Sequence, residues 1–533
     1  ILEIRNCKIP NTIFYFPLLV DHWTPEFSMG FPVFSYYQHF PHLFIVILYR
    51  LISLIAPVSL MVTFNWLKFL MLSFFPLVIF YSARKFELSK IAAVGASLVS
   101  TLISTQYLYG TDYNALIFRG SGMFTQLWGI FFLPLSLSAI YDSLKNNRGY
   151  LKSVVLLVLT LNGHLVFGYI AVLSTPLLLL SLYFSRSGLF KSLVMRLSVI
   201  LTSSFLLLSY WFIPLILNGA YQNKSLWDDL TKFNSYGYLQ ILKWLVNGQL
   251  FDNNRFPVLT ILIAMGFFYS LYKFSNKKTG DRASPEPYGT GRALAGPVSS
   301  HLFFPLLFLF WLLLYFGRYT FGPLFDLLPL SEGLHGHRLI NGVHFAGIFL
   351  AGLSLEWIFK TIELKTRSFI KFIIFITVII IIFSPVLKER YDYLKFNAYS
   401  INANTAFYDR EIKDFKRILD KIKELGVSRI NIGRPGNWGR QFYVGAFSGY
   451  FVATVNNFDV IGFEPESWSP TTDIEQFFSE YDPAYYNLFN IGYIIAPSEE
   501  KFATAPFAKK ILQSGKFVLY KVNLAEQGLA SPG

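Results

Sequence analysis

Between residues 43 and 387 the chain returns repeatedly to apolar runs near membrane-spanning length, each separated from the next by a short polar stretch. A helix of about 20 apolar residues crosses the hydrocarbon core of a bilayer. It also satisfies every one of its own backbone polar groups there. The pattern therefore dictates an all-α polytopic membrane bundle. Spans are predicted at 60–82, 91–108, 122–142, 197–217, 256–275, 301–317, 338–360 and 368–387. The stretch 153–184 is broken at Asn162-Gly163-His164 into two shorter helices, which brings the expected count to about ten spans. Composition agrees: 53% of the residues are hydrophobic and 15% charged, where a soluble domain carries about 25% charged residues.

The net charge is +14. In a soluble chain such an excess would suggest nucleic acid; in a membrane chain Lys and Arg collect in cytoplasmic loops. Here they cluster at 84–90, 145–152, 186–196, 273–292 and 360–371. Neighbouring clusters are two spans apart, so all of them fall on one side and are expected to be cytoplasmic. The opposite, outer side then receives loops 109–121, 162–164, 218–255 and 318–337, and everything after 387. The opening stretch 1–42 is broken by Pro10, Pro17, Pro25, Pro32 and Pro41, which forbids a long helix. It reads as a first outer loop with interfacial helices, provided that 43–56, short and carrying Arg50, lies in the interface and does not cross.

Three domains are expected: the outer loop 1–42, the bundle 43–387, and an extracytoplasmic mixed α/β domain 388–533. The Gly/Pro/Ser-rich insert 276–300 reads as a disordered cytoplasmic linker. In the last domain the pattern predicts a charged helix over 409–425, stopped by Gly426, and strands at 427–432 and 441–455. It predicts a helix at 473–481, a helical turn then a strand over 485–496, a helix at 507–513 and a strand at 516–522. Cys7 is the single cysteine, so no internal disulfide forms. The chain opens at Ile1 and reads as lacking its true N-terminus.

No phosphate-binding Gly-rich loop, nucleophile elbow or zinc-type Cys/His spacing is present. The unusual polar residues gather instead in the outer loops. These are Asp21, His22 and Glu26, with His39 and His42 further on; Asp112 and Arg119; His164; and Glu332, His335, His337 and Arg338. Of the eight histidines, all but His301 lie in or next to those loops. Each residue has a bland reading: a loop acid is solvated, and a His at a turn hydrogen-bonds locally. The bland reading is weakest for Arg338, because it opens a span from the side where positive charge is disfavoured. An ionisable group at that position is a functional candidate by default, and the guanidinium fork suits bidentate contact with phosphate.

Four motifs carry a family resemblance. The first is Trp23-x-Pro25 followed by Gly30-Phe31-Pro32, Tyr36-Tyr37-Gln38 and Pro41-His42. The second is Gly120-Ser121-Gly122-Met123-Phe124-Thr125-Gln126 with Leu133-Pro134-Leu135. The others are the His164 turn and Leu328-Pro329 with His337-Arg338. In their order they resemble the GT-C superfamily of membrane glycosyltransferases. Within it they resemble the bacterial and archaeal membrane family named for a distant link to 6-pyruvoyl-tetrahydropterin synthase.

The resemblance implies an enzyme of the cytoplasmic membrane that moves a sugar from a polyprenyl-phosphate-linked donor to a glycan, lipid or protein acceptor of the cell envelope. Transfer inverts the sugar, with an acid of an outer loop as general base. Asp112 matches the acid of the second outer loop. Asp21, directly before Trp23, is a substitute for the family's first-loop acid, which stands further upstream. Arg338 matches a donor-phosphate contact, and His22, Glu26, Arg119, His164, His335 and His337 are the further substrate-binding candidates. The resemblance leaves a divalent metal open, and the chain itself offers no metal motif. Expected partners are the lipid-linked donor, the acceptor and membrane lipids, and no nucleic acid. Two other classes compete: a flippase for lipid-linked glycans, and a non-catalytic assembly protein of the envelope. The spans are nearly free of central acids, which disfavours a transporter.

Overall fold

A computed structural model describes residues 23–24, 30–32, 34, 37–105, 108–113, 124–185, 190–219, 229–253, 255–280, 298–363, 368–433, 443–461, 477–497 and 501–523. The chain divides into two compact units. One is built from 38–212 and 229–393, the other from the described parts of 1–37, 213–228 and 394–533.

The larger unit is helical. Its elements are α1 (Phe40–Ser53), α2 (Leu60–Lys85), α3 (Lys90–Val99), α4 (Phe124–Asn146), α5 (Tyr150–Gly163), α6 (Leu165–Ser185) and α7 (Phe190–Leu217). Two short helices follow, α8 (Leu230–Asn234) and α9 (Tyr238–Val246), then α10 (Val258–Gly280), α11 (Val298–Tyr315), α12 (Arg318–Phe321), α13 (Ile340–Glu363) and the part of α14 (Ser368–Leu425) before Leu394, the rest of that helix belonging to the smaller unit. Seven helices are long and apolar enough to cross a membrane, and eight if the pair on either side of Phe316–Gly317, bent by 76°, is one span. Their outward faces expose Leu206, Leu207, Phe268 and Tyr272, as lipid-facing surfaces do. The protein is an integral membrane protein.

Helices form wherever spans are expected, but two are too short to count as crossings. Over 91–108 the helix stops at Val99. Beyond it the backbone leaves the helical path because Ser104 pairs with the 251–253 segment: its N–H donates to Phe251 O at 3.0 Å, and Asn253 N–H donates to Ser104 O at 3.1 Å. Over 153–163 the chain turns at His164, which is fully extended.

One end of the bundle collects described residues of the basic clusters at 84–90, 145–152 and 186–196. There Lys85 pairs with Asp142 at 3.1 Å, Lys145 pairs with Glu87, and Arg196 donates to Leu144 O at 2.7 Å. The interior is aromatic: Phe86, Phe303, Phe304 and Phe349 stack into one cluster, with Phe304 and Phe349 centroids 4.6 Å apart.

Close helix approach rests on small residues. A Cβ on Gly266 of α10 would fall 1.8 Å from Leu350 O of α13. One on Gly352 of α13 would fall 2.4 Å from Ala92 O of α3. Membrane helices pack by this kind of contact, and backbone atoms cannot yield as a side-chain tip can. Gly266→Val is therefore expected to cost about 2 kcal/mol or more through overpacking. Thermal melting of the purified protein in detergent checks this; a melt within 1 °C of the parent (roughly a few tenths of a kcal/mol) would contradict it.

The smaller unit contains a five-stranded sheet of β3 (Arg429–Asn431), β6 (Val460–Ile461), β7 (Ile491–Ala496), β8 (Ala508–Ser514) and β9 (Phe517–Val522), in the order β6-β3-β7-β9-β8. β3 runs parallel to β6 and β7, while β7, β9 and β8 are antiparallel. The end of α14 presents Ile412, Phe415, Ile418, Leu419 and Ile422 to this sheet's core, at helical spacing. Two-stranded ribbons join β1 (Trp23–Thr24) to β2 (Phe31–Pro32) and β4 (Tyr443–Val444) to β5 (Phe447–Ser448). Further helices are α15 (Gly449–Val455) and α16 (Pro483–Leu488).

Three expectations for this region are corrected. The stretch 441–455 is strand only at 443–444 and 447–448 and is helical from Gly449, where Tyr450, Ala453 and Thr454 are buried at helical spacing. The stretch 507–513 is a strand: Ser514 pairs with Phe517 across Gly515-Lys516, and Gly515 has φ +56°, as a two-residue hairpin turn requires. Residues 477–481 are turns, and the rest of 473–481 lies outside the described residues.

Candidate functional site

At the end of the bundle away from the basic clusters, three distant segments meet. The first is the loop 100–113 after α3. The second is the α5–α6 turn at His164. The third is the 3-10 turn Gly336–Leu339 that opens α13.

Arg338 is the hub. It is 7% exposed, its Nη1 lies 3.4 Å from His164 Nε2, and its guanidinium sits 5.6 Å from the centre of the Tyr109 ring. His337 packs its ring edge-on to Tyr109 at 5.0 Å and against His335 at 5.6 Å. His337 Nδ1 donates to Lys232 O at 2.7 Å. That bond fixes the neutral tautomer and leaves Nε2 as an acceptor with no hydrogen-bond partner among the described residues. His164 accepts from Arg338 through Nε2, so its proton resides on Nδ1, which likewise has no described partner.

Burial keeps the neighbouring imidazoles neutral. His335 is lowered to about 3, first by desolvation and then by the charges of Arg338, His337 and Lys232. His164 is pushed well below its ordinary value by desolvation, with Arg338 and His335 adding to it. Folded-state depression of a base means that the unfolded chain binds more protons below pH 6.5. Stability is therefore expected to be full above about pH 6.5 and to fall steadily as the pH drops toward 3. Replacing His335 by Phe, which keeps the ring against Phe233, should flatten that decline in a pH series of thermal melts. An unchanged slope would contradict it.

The loop before Asp112 is bound to α13. Thr111 N–H donates to His344 Nδ1 at 3.0 Å, and its hydroxyl donates to Asn341 Oδ1 at 3.2 Å. Asn341 in turn donates to Tyr109 O at 3.1 Å and to Arg338 O at 2.8 Å. Gln126 of α4 donates to Tyr109 O at 3.2 Å, and His344 Nε2 donates to Leu250 O at 2.7 Å. Asp112, 1% exposed, accepts the Thr105 N–H at 2.9 Å. A second polar group adjoins the His164 turn: His39 Nε2 lies 2.5 Å from Tyr210 Oη, and Asn162 Nδ2 is 3.1 Å from the same nitrogen.

The structure thus brings His164, His335, His337 and Arg338 together and links them to Asp112 through Thr111 and Asn341. Asp21, His22, Glu26 and Arg119 lie outside the described residues. Chemically the cluster is one guanidinium among neutral imidazoles, a phenol-bearing ring and an amide, which is suited to holding an anion. Among the described residues no group of three or more His, Cys, Asp or Glu is arranged to hold a metal.

Sequence reasoning did not select Tyr109, Asn341, His344, Asp252, Arg255, Glu389 or Arg390. A signal existed for several of them. Asn341 and His344 are polar, three residues apart and one turn from Arg338, in an apolar helix. Glu389 and Arg390 stand just past the end of the last predicted span, where ionisable groups merit attention.

No protein-family model matches the chain, and no curated protein matches it. Solved structures do. The archaeal oligosaccharyltransferase AglB from Archaeoglobus fulgidus, in complex with an inhibitory peptide and a dolichol-phosphate, aligns over 93% of this chain and 64% of that one, with TM-score 0.52 and 10% identity. The apo form of the Archaeoglobus fulgidus oligosaccharyltransferase aligns over 90% and 63%, with TM-score 0.51 and 11% identity. The form tethered by a disulfide to an acceptor peptide containing the NVT sequon gives TM-score 0.50 and 12% identity over the same shares. The chain thus spans less than two thirds of those proteins' length. At such identities the likeness is one of fold alone.

Proposed function

We propose that the chain is a GT-C glycosyltransferase that uses a polyprenyl-phosphate-linked sugar as donor and acts at the outer face of a bacterial or archaeal cytoplasmic membrane. The observation that carries this reading is the Arg338–His164–Tyr109 cluster, a buried cation supplied with neutral hydrogen-bonding groups at the end of a GT-C bundle. An oligosaccharyltransferase of similar fold has been solved with a dolichol-phosphate, a ligand of the same chemical class. The narrower likeness to the 6-pyruvoyl-tetrahydropterin synthase-linked family rests on the sequence motifs.

In this mechanism Arg338 pairs with the donor's phosphate. His164 and His337 complete the shell, one through an N–H and the other through a bare nitrogen that accepts from a protonated phosphate or a sugar hydroxyl. The acceptor hydroxyl attacks the anomeric carbon from the face opposite the phosphate, and the carbon–oxygen bond to phosphate breaks with inversion. The hydroxyl proton passes to a loop carboxylate, Asp112 or Asp21. The phosphate leaves with the lipid, its growing charge balanced by Arg338. His22, Glu26, Arg119 and His335 are the remaining candidates for holding donor or acceptor. The 388–533 domain is extracytoplasmic in this reading, and the acceptor is a glycan, a lipid or a protein.

The test is direct. Membranes containing the protein are incubated with radiolabelled polyprenyl-phosphate sugars, and label is followed into envelope polymer. Transfer that depends on the protein supports the reading. No transfer from any such donor, by protein shown to be folded, would sink it.

A further inference from the structure

Next to the candidate site lies a charged cluster that the proposed mechanism does not use. It joins the loop 102–105, the loop 248–255 and the part of α14 just beyond the last predicted span. Arg390 Nη2 donates to Ile103 O at 2.7 Å. Arg255 Nη2 donates to Leu102 O at 2.7 Å and to Phe251 O at 3.0 Å. Ser104 Oγ donates to Glu389 Oε1 at 3.3 Å, and Arg255 Nη1 lies 2.8 Å from Glu389 Oε2. Asp252, fully buried, accepts from Leu259 N–H at 3.1 Å and from the Thr260 N–H and hydroxyl at 2.9 and 3.0 Å. It also pairs with Arg255 at 3.5 Å.

Every carbonyl from Leu102 to Ser104 is thereby taken: Leu102 O by Arg255, Ile103 O by Arg390 and Ser104 O by Asn253 N–H. The next residue, Thr105, is the one whose N–H holds the Asp112 carboxylate. Arg390 has Nε and Nη1 buried without a hydrogen-bond partner among the described residues, and Asp112 and Glu389 are the acids whose charge acts on it. Uncompensated donors in a buried guanidinium are costly, and what holds Arg390 there is the Ile103 carbonyl and the charge of the two acids.

We infer that Arg390 is a positioning residue for the Asp112 loop. With Arg255 and Glu389 it clamps the 102–105 backbone, and through the Thr105 N–H it sets where the Asp112 carboxylate stands relative to Arg338. The clamp draws its two arms from α14 and from the loop before α10, so the acid's position depends on elements far from it in sequence. The inference rests on the proposed transferase reading for its consequence in catalysis, but not for its geometry.

The experiment separates the two. The Ser104 and Thr105 amides are followed by hydrogen–deuterium exchange in lipid nanodiscs for the parent, Arg390→Gln, Arg390→Lys and a distant control. The control is Ser270→Ala, which removes a bond to His301 O at the other end of the bundle. Arg390→Gln should raise exchange at these two amides about tenfold or more by local opening. Arg390→Lys, which can still reach a carbonyl with a charge, should restore part of the protection, and Ser270→Ala should leave it unchanged. Where transfer is measurable, Arg390→Gln should lower kcat while the donor KM stays within about twofold, since the clamp places the acid that takes the acceptor's proton and not the groups that hold the donor. Unchanged exchange at Ser104 and Thr105 in Arg390→Gln would overturn the inference, and so would an equal rise in Ser270→Ala. Should Arg390→Gln fail to fold, Arg390→Lys carries the same comparison at smaller amplitude. If exchange rises as expected but no variant transfers sugar, the transferase reading fails and the clamp stands.

Discussion

Arg338→Gln is expected to abolish measurable sugar transfer, lowering the rate by about 100-fold or more, the loss typical when one preorganised group facing developing charge is removed. Gln keeps a hydrogen-bond donor and much of the volume, so the change isolates the charge. Arg338 is buried at 7% exposure and contacts His164 and the Tyr109 ring. Its loss leaves neutral imidazoles there, with the charge of Lys232 still acting on His335 and His337. Arg338→Lys should fall between the two, because an ammonium supplies charge without the planar fork. Binding of the polyprenyl phosphate itself, measured by fluorescence or calorimetry on purified protein, should weaken in parallel with transfer. Parent-like affinity and rate in Arg338→Gln would remove the phosphate contact from the account.

Asp112→Asn is the second large effect. If this carboxylate takes the acceptor's proton, transfer should fall by about 10²- to 10⁴-fold while donor affinity stays near that of the parent. Asn can still accept the Thr105 N–H, so the loop keeps that anchor. It cannot supply the negative charge that faces Arg390, so some stability is lost as well. A thermal melt distinguishes that loss from a catalytic one. Equal transfer by both proteins would assign the proton to Asp21 or to a residue outside the described segments, and a parallel Asp21→Asn variant decides between those.

Much of the bundle was legible because it depends on local composition. Apolar runs and basic clusters fix where helices start and stop, and helices stand where spans were read. What failed there was length: residues 100–105 carry no charge, Gly or Pro to stop α3, yet Ser104 pairs with the 251–253 backbone, a partner about 150 residues away that no periodicity announces. In the smaller unit the misread strand 508–514 shows the opposite error. Ala508-Lys509-Lys510-Ile511-Leu512-Gln513 has the composition of a helix, and it overrode the Gly515-Lys516 turn that makes it one arm of a hairpin. The helix at 449–455 is apolar and β-branched, and packing against its neighbours decided its state against propensity.

The candidate site was legible in part. Arg338 declared itself by sign of charge and place, and His164 by interrupting an apolar run. Tyr109 is one aromatic among many, and only the fold shows that it lies under the guanidinium. Glu389 and Arg390 read as the polar flank of a span, because the clamp on 102–105 is a three-segment contact. Asp21, His22, Glu26 and Arg119 belong to the same outer-loop pattern of the sequence as Asp112 and lie outside the described residues.

An experimental structure of the protein with a bound polyprenyl phosphate tests the central claim most directly. The phosphate is expected within about 3 Å of the Arg338 guanidinium, beside the His164 and His337 rings, with the lipid chain leaving toward the bilayer. A phosphate at the basic end of the bundle, near Lys85, Lys145 and Arg196, or at any place from which Arg338 cannot reach it, would contradict it.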